Sequence, residues 1–444
     1  MRLPLATIVI AIACLASSRA HSGGFEIRDQ GGAVAGNAYA GAAAIAQDAT
    51  TIFYNPAGMA MLSRSEAVLS ADALFPRDTF DNTGSFDISG APITGGSGGY
   101  PDGAFVPSAY AMWAPKGAAD RLRFGFAVNA PFGLKTLYDD DWVGRYQAIR
   151  SEIKTFNFNP AVSVKVFDWL SVGAGADAQW MDATLTNAID FGGVCFAALG
   201  PVVCPALGLR PQNSDGHVRL EGNDWGFGYN GGILVHPTPN TRIGLAYRSH
   251  ISFNLDGDAT FKVPLDAAVL TAGGTVFRDT GLRTNVTVPE TATFGLYQKL
   301  TPKLVGLFGA AWTRWSRVKE LRIKFDNSLQ PDAVLPADWK DSWFFSVGAD
   351  YLYSDRLTLR AGIAYDQSPL PDRTRTPRLP GSDAIDLAIG AGYKPYDDVK
   401  IDFAYQLAFL READIDLTDP TSGSLDGHYK FTAHVFSIQC RQQF

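Results

Sequence analysis

The chain has 444 residues, a formal net charge of −7 and 19% charged residues. The acidic balance disfavours nucleic acid as a partner, and a charged fraction below the usual quarter suits a protein with a second surface that meets lipid. After the N-terminus no stretch approaches the roughly eighteen uninterrupted apolar residues of a membrane-spanning helix, so an integral form must close its backbone hydrogen bonds as a barrel.

Arg2 precedes an apolar stretch from Leu3 to Leu15, and Ser18-Arg19-Ala20 places small residues around a spacer. This reads as a secretory signal over residues 1–20, cleaved before His21. Ala11-Ile12-Ala13-Cys14 offers a competing lipoprotein site, but Ala11 stands where a larger aliphatic is usual. Residues 21–65 are rich in Gly and Ala, with a short helical stretch around Ala38 to Ala49 before Asn55-Pro56-Ala57-Gly58. About forty-five residues are too few to bury a core of their own. The segment therefore reads as a plug inside a lumen, and Asn55-Pro56-Ala57 as a turn within it.

Residues 66–444 alternate apolar and polar side chains in short runs. Candidate strands end near Phe75, Pro115, Ala130, Phe167, Thr186, His236, Phe261, Leu300, Ile323, Ser354, Asp366, Lys394, Glu412 and Phe444. Even-numbered joints are tight, as at Asp168, Thr301-Pro302 and Asp355, whereas most odd-numbered joints are long. That asymmetry predicts an all-β fold: an outer-membrane antiparallel barrel of about 14 strands with short periplasmic turns and long extracellular loops. Within residues 399–409, Val399, Ile401, Phe403, Tyr405, Leu407 and Phe409 share one face, and Lys400, Asp402 and Gln406 the other. Leu357, Leu359, Ala361 and Ile363 repeat the pattern, Phe444 closes the last strand, and Cys440 shares a lipid-side face with Phe436 and Ile438.

Two loops carry unusual chemistry. Cys195 and Cys204 lie in one loop of an exported chain with no histidine between them, which favours a local disulfide over a metal site. The same loop holds Phe191, Phe196, Leu199, Val202 and Leu207, and a second offers Leu265 and Val269. Apolar clusters facing water mark binding surfaces, so these residues predict an external groove for hydrophobic molecules; the competing reading is loops packed together as a cap. Arg145, beside Trp142 and Tyr146, is a candidate for cation and aromatic contacts to a ligand or for an interfacial position. Asp139-Asp140-Asp141 reads as a solvated acidic loop before it reads as a cation site. Ser249 and His250 are neighbours in a strand pattern and point opposite ways, and Gly95-Gly96-Ser97-Gly98-Gly99 lacks the strand-to-helix setting of a nucleophile elbow, so no enzymatic activity or cofactor is expected.

Several motifs occur in order along the mature chain: Gly24-Phe25, Asp48-Ala49 with Asn55-Pro56-Ala57, Asn223-Asp224-Trp225-Gly226-Phe227-Gly228-Tyr229-Asn230, and Tyr247-Arg248-Ser249. Leu255 with Gly257, Pro289-Glu290, Trp312-Thr313-Arg314-Trp315-Ser316, Arg360-Ala361-Gly362 and Asp366-Gln367-Ser368-Pro369-Leu370-Pro371 follow. In these the chain resembles the FadL family of outer-membrane long-chain fatty acid transporters, which includes the aromatic-hydrocarbon transporters of the TodX type. The resemblance implies a 14-stranded barrel, a hatch over residues 21–65 carrying Asn55-Pro56-Ala57, and passage from an external groove to an inner site that opens sideways into the bilayer. It places a ligand-associated basic residue at Arg322, whose structural alternative is an ion pair with Glu320. A second basic residue expected after the fifth strand has no match near Thr186 to Asp190. The expected function is passive uptake of hydrophobic molecules, with long-chain fatty acids favoured over neutral or aromatic hydrocarbons, and a general porin as the runner-up. The expected setting is a monomer in the outer membrane, in contact with its lipid and lipopolysaccharide.

Overall fold

The computed structural model describes residues 23–98, 103–117, 121–271 and 273–444. The signal expected over residues 1–20 lies outside the described residues. Fourteen strands form the wall: β1 (Glu66–Asn82), β2 (Ala104–Trp113), β3 (Leu122–Asn129), β4 (Arg150–Phe167), β5 (Leu170–Asp190), β6 (Asp215–Thr238) and β7 (Thr241–Arg248). The ring continues through β8 (Thr291–Lys299), β9 (Leu304–Thr313), β10 (Ser342–Ser354), β11 (Leu357–Asp366), β12 (Ala384–Tyr396), β13 (Val399–Leu410) and β14 (Gly423–Gln443). Each strand pairs antiparallel with the next. β14 returns to β1 in a register running from Glu66 opposite Gln443 to Asn82 opposite Gly427. The ring is closed and leaves no edge, as a bilayer requires.

The wall is inside out relative to a soluble protein. On β13, Phe403 and Phe409 are 53% and 46% exposed, while Asp402 on the opposite face is fully buried and Lys400 and Gln406 nearly so. The alternation sends apolar side chains outward to lipid and polar ones into the lumen. Cys440 is free and exposed on the same outward face as Phe436 and Ile438.

Two strand ends differ from the sequence reading. β7 stops at Arg248, and Ile251–Lys262 is a separate strand that pairs with the outer half of β6. β9 stops at Thr313, a turn at Trp315–Arg317 follows, and Glu320–Phe325 joins the outer sheet. In both places alternation persists through a change of partner, so periodicity alone cannot register the break. Thr280–Val288 links these extra strands, pairing with both Ile251–Lys262 and Glu320–Phe325. The wall therefore continues beyond the membrane on one side as a raised rim.

The apolar loop after β5 is also more ordered than expected. It folds as a helix from Phe191 to Ala206, bent at Gly200, whose φ of 82° is open to glycine before Pro201. Asp190 caps its start by accepting from the Gly193 amide at 2.9 Å. Cys195 and Cys204 are joined in a disulfide, which closes the bend.

Residues 23–62 run inside the ring. They are almost wholly buried and form only single-turn helices, at Gly32–Ala35, Ala42–Ile45 and Thr51–Tyr54, followed by a 3-10 turn at Pro56–Met61. Small residues are needed because the backbone touches the wall directly: a Cβ on Gly244 of β7 would lie 1.9 Å from the Ala43 carbonyl, and one on Gly390 of β12 would lie 2.9 Å or less from Gly36. Every one of the fourteen strands contacts this segment through a hydrogen bond or such a close approach. A short segment reaches all the walls of a ring only from its interior, so the segment plugs the lumen.

Candidate functional site: an apolar cavity above the plug

The start of the plug forms the floor of a partly open cavity of about 210 Å³ on the side of the long joints. Phe25 is held there by a short bridge to the wall, with the Gly133 amide donating to the Phe25 carbonyl at 2.9 Å and the Ile27 amide donating to the Pro131 carbonyl at 2.8 Å. Its ring stands edge-on to Phe132, Trp315 and Trp339, with centroids 5.8, 4.9 and 5.9 Å away. The preceding Gly24 has a φ of 74°, and a Cβ on it would meet the Trp315 ring at 2.8 Å. Side chains from Leu134, Ile153, Leu185, Val286, Leu321, Leu335 and Leu379 complete an apolar wall drawn from strands and joints far apart in sequence.

Two guanidinium groups border this wall. Arg317 is committed to Glu290: its Nη2 donates to Oε1 at 2.8 Å and its Nε to Oε2, while Arg314 Nη1 donates to Oε1 at 3.2 Å. Burial alone would raise the Glu290 carboxyl, but the two arginines outweigh it and hold it down at about 2. Arg378 comes from the joint between β11 and β12. Its Nη2 donates to Asn187 Oδ1 at 2.8 Å and its Nη1 to Ser151 Oγ at 3.2 Å. Burial pulls its pKa down to about 10.

At the base of the plug, Asn55 is fully buried and locks three segments together. Its Nδ2 donates to the carbonyls of Ala43 at 2.7 Å and Ile233 at 3.1 Å, and its Oδ1 accepts from the Ala57 amide at 3.1 Å, capping the 3-10 turn that Pro56 begins. Gly232 on β6 leaves the space, since a Cβ there would meet Asn55 Oδ1 at 2.1 Å. Pro56 and Ala57 are buried beside Gly173 of β5.

The remaining sequence candidates lie elsewhere. Arg322 sits on the exposed face of Glu320–Phe325, paired with Glu320 at 2.8 Å and Asp332 at 3.3 Å, while its neighbour Leu321 lines the cavity. Arg322 is not among the residues that line the cavity, and the ion pair is the arrangement found. Arg145 is buried in the outer cap, donating to Asp215, to the Thr94 carbonyl and to the Tyr146 hydroxyl at 2.7–2.8 Å, and does not line the cavity. Phe191 is buried with Cys195, Cys204, Leu209 and Ala267, so it holds the bent helix against the second loop. Phe196 is partly buried, whereas Leu199, Leu207, Val202 and Leu265 are exposed, the last two at 82% and 96%. The outer rim thus has a packed cap beneath and exposed apolar side chains on top.

The family model described as "Outer membrane protein transport protein (OMPP1/FadL/TodX)" matches residues 13–444. The chain belongs to this family. A long-chain fatty acid transport protein of Escherichia coli O6:H1 is 28% identical over 411 residues, covering 89% of this chain and 88% of the relative. Outer membrane protein P1 of Haemophilus influenzae is 28% identical over 423 residues, covering 89% and 88%. Among solved structures, a Pseudomonas aeruginosa FadL homologue superposes with a TM-score of 0.87 at 26% identity, covering 95% of this chain and all of that one. The Ralstonia pickettii toluene transporter TbuX shares the fold, with a TM-score of 0.66 at 22% identity and coverage of 94% and 99%. This FadL-family chain is an outer-membrane barrel and a passive transporter of hydrophobic compounds, not an enzyme.

Sequence reasoning missed the cavity's working surface. Gly24-Phe25 was visible as a family motif, but nothing in the residues said that Phe25 forms a floor. Trp339 and Arg378 carried no local signal at all.

Proposed function

We propose that this FadL-family protein takes up long-chain fatty acids, collected on the apolar outer rim, held in the cavity over Phe25, and released past the plug towards the bilayer. The observation that carries the reading is the largely apolar cavity seated directly on a plug that meets all fourteen strands. Such an arrangement obstructs the lumen while offering an amphipathic chain a largely apolar site, and transfer of apolar surface from water drives occupancy. The relatives named as long-chain fatty acid transporters support the ligand class. Arg145 and the exposed Leu199, Val202, Leu207 and Leu265 then serve outside the cavity, the first tying down the cap and the others making first contact.

The wall supports a sideways exit. β2 pairs with β3 only from Ala109 to Trp113, and beyond β3 the Pro131 carbonyl and the Gly133 amide bond with the plug at Ile27 and Phe25. Residues 104–108 therefore have β1 but no β3 beside them. An apolar ligand leaving there would enter hydrocarbon rather than periplasmic water.

Mass spectrometry of lipid extracted from the purified protein tests the ligand class. Enrichment of long-chain fatty acids over the membrane background is expected. Enrichment of neutral hydrocarbons, or of nothing, would overturn the reading.

A further inference from the structure

We propose that Arg378 is the specificity-determining residue of the cavity, selecting ligands that carry a carboxylate by binding the head group while the tail lies on Phe25, Leu134 and Trp339. This rests on the fatty acid reading above and assigns its polar recognition to a residue that family position does not indicate. Arg322, the position that family spacing suggests, does not line the cavity and has two acids of its own. Thr186 to Asp190 supplies no basic side chain. Arg378 reaches that same place from a different joint: besides Asn187 Oδ1 and Ser151 Oγ, its Nη1 approaches the Thr186 carbonyl at 3.5 Å.

The electrostatics are unusual for a protein interior. Among the described residues no carboxylate forms an ion pair with Arg378, and all its hydrogen-bond acceptors are neutral. Its Nε is buried and has no partner. A half-buried guanidinium without a counter-charge is open to an anion, and an Arg fork has the geometry to take a carboxylate in a bidentate pair. The side chain is half-buried and lines the cavity. Arg317 cannot play this part, since Glu290 already satisfies it. Glu320, also on the wall, is bonded to Arg322. A fatty acid supplies what is missing: one anionic oxygen pair on a chain that suits the remaining lining.

The test uses the purified full-length protein in detergent, with palmitate and hexadecane as probes in a competition assay. Arg378→Gln keeps a polar group near Asn187, and Arg378→Leu removes polarity altogether. Both should weaken palmitate about ten- to a hundredfold, the worth of a charge-assisted hydrogen-bonded pair, and leave hexadecane within about twofold. Arg378→Lys, which keeps charge but not the fork, should fall between them and the wild type. Retained hexadecane binding shows that each variant is folded. Equal losses for both probes, or no loss for palmitate, would overturn the assignment. Failure of the wild type to bind either probe would sink the fatty acid reading itself, a result distinct from loss of selectivity.

Discussion

Replacing Asn55 by alanine is the perturbation that speaks most directly to the plug. The side chain is fully buried and makes three hydrogen bonds, so water cannot replace them while the plug is seated. Counting only the Ala57 amide and the Ala43 carbonyl, at about 1–2 kcal/mol for each buried group left unpaired, Asn55→Ala destabilises the seated plug by about 2–4 kcal/mol. The population with the plug displaced should then rise by roughly thirty- to a thousandfold. The barrel should persist, because its ladder of backbone hydrogen bonds closes without the plug. Asn55→Asp keeps the acceptor for Ala57 but turns a carboxylate towards two carbonyl oxygens, and should be at least as damaging. Single-channel recording in planar bilayers reads the result as frequent openings against a quiet wild type, with heat-modified gel mobility confirming the folded barrel. Conductance indistinguishable from wild type in both variants would refute the argument that Asn55 holds the plug in place.

Three further outcomes follow from the same geometry. Arg322→Ala should leave palmitate binding within about twofold of wild type, since it loses only exposed, solvent-screened ion pairs; a tenfold loss in the competition assay would return Arg322 to the site. Cys195 and Cys204 should resist thiol labelling in the unreduced protein while Cys440 reacts, and reduction should loosen the bent helix by about 2–3 kcal/mol on the chain-entropy model, read as faster proteolysis there. Labelling of both cysteines would remove the crosslink. Glu290 has a folded pKa near 2 against an ordinary 4.5, so its pairing with Arg317 contributes stability above about pH 4.5 that is lost as pH falls towards 2. Denaturant unfolding of wild type and Glu290→Gln should differ at pH 6 and converge near pH 2; a constant difference would contradict it.

The barrel was legible because lipid and lumen impose opposite demands on alternate residues, as Phe403 and Asp402 show on β13. The ends at Phe261 and Ile323 were not, because the strands that follow Ser249-His250 and the Trp315 turn keep the same alternation while pairing above the membrane. The plug was readable from its small residues and its lack of a core. The cavity was not, since Phe25, Trp339 and Arg378 come together only when the plug meets the β9–β10 and β11–β12 joints. Arg378 meets Asn187 across 191 positions and Ser151 across 227, separations at which single-sequence patterns carry no contact information.

The central claim is transport of hydrophobic ligands through a plugged barrel, and uptake by living cells tests it most directly. Cells of a Gram-negative host lacking its own fatty acid transporter, producing this protein in the outer membrane, are given labelled oleate and, separately, a small hydrophilic sugar. The account predicts saturable oleate uptake well above the empty-vector control with no gain in sugar permeability. Sugar entry without oleate uptake would contradict it and mark the protein as a general porin.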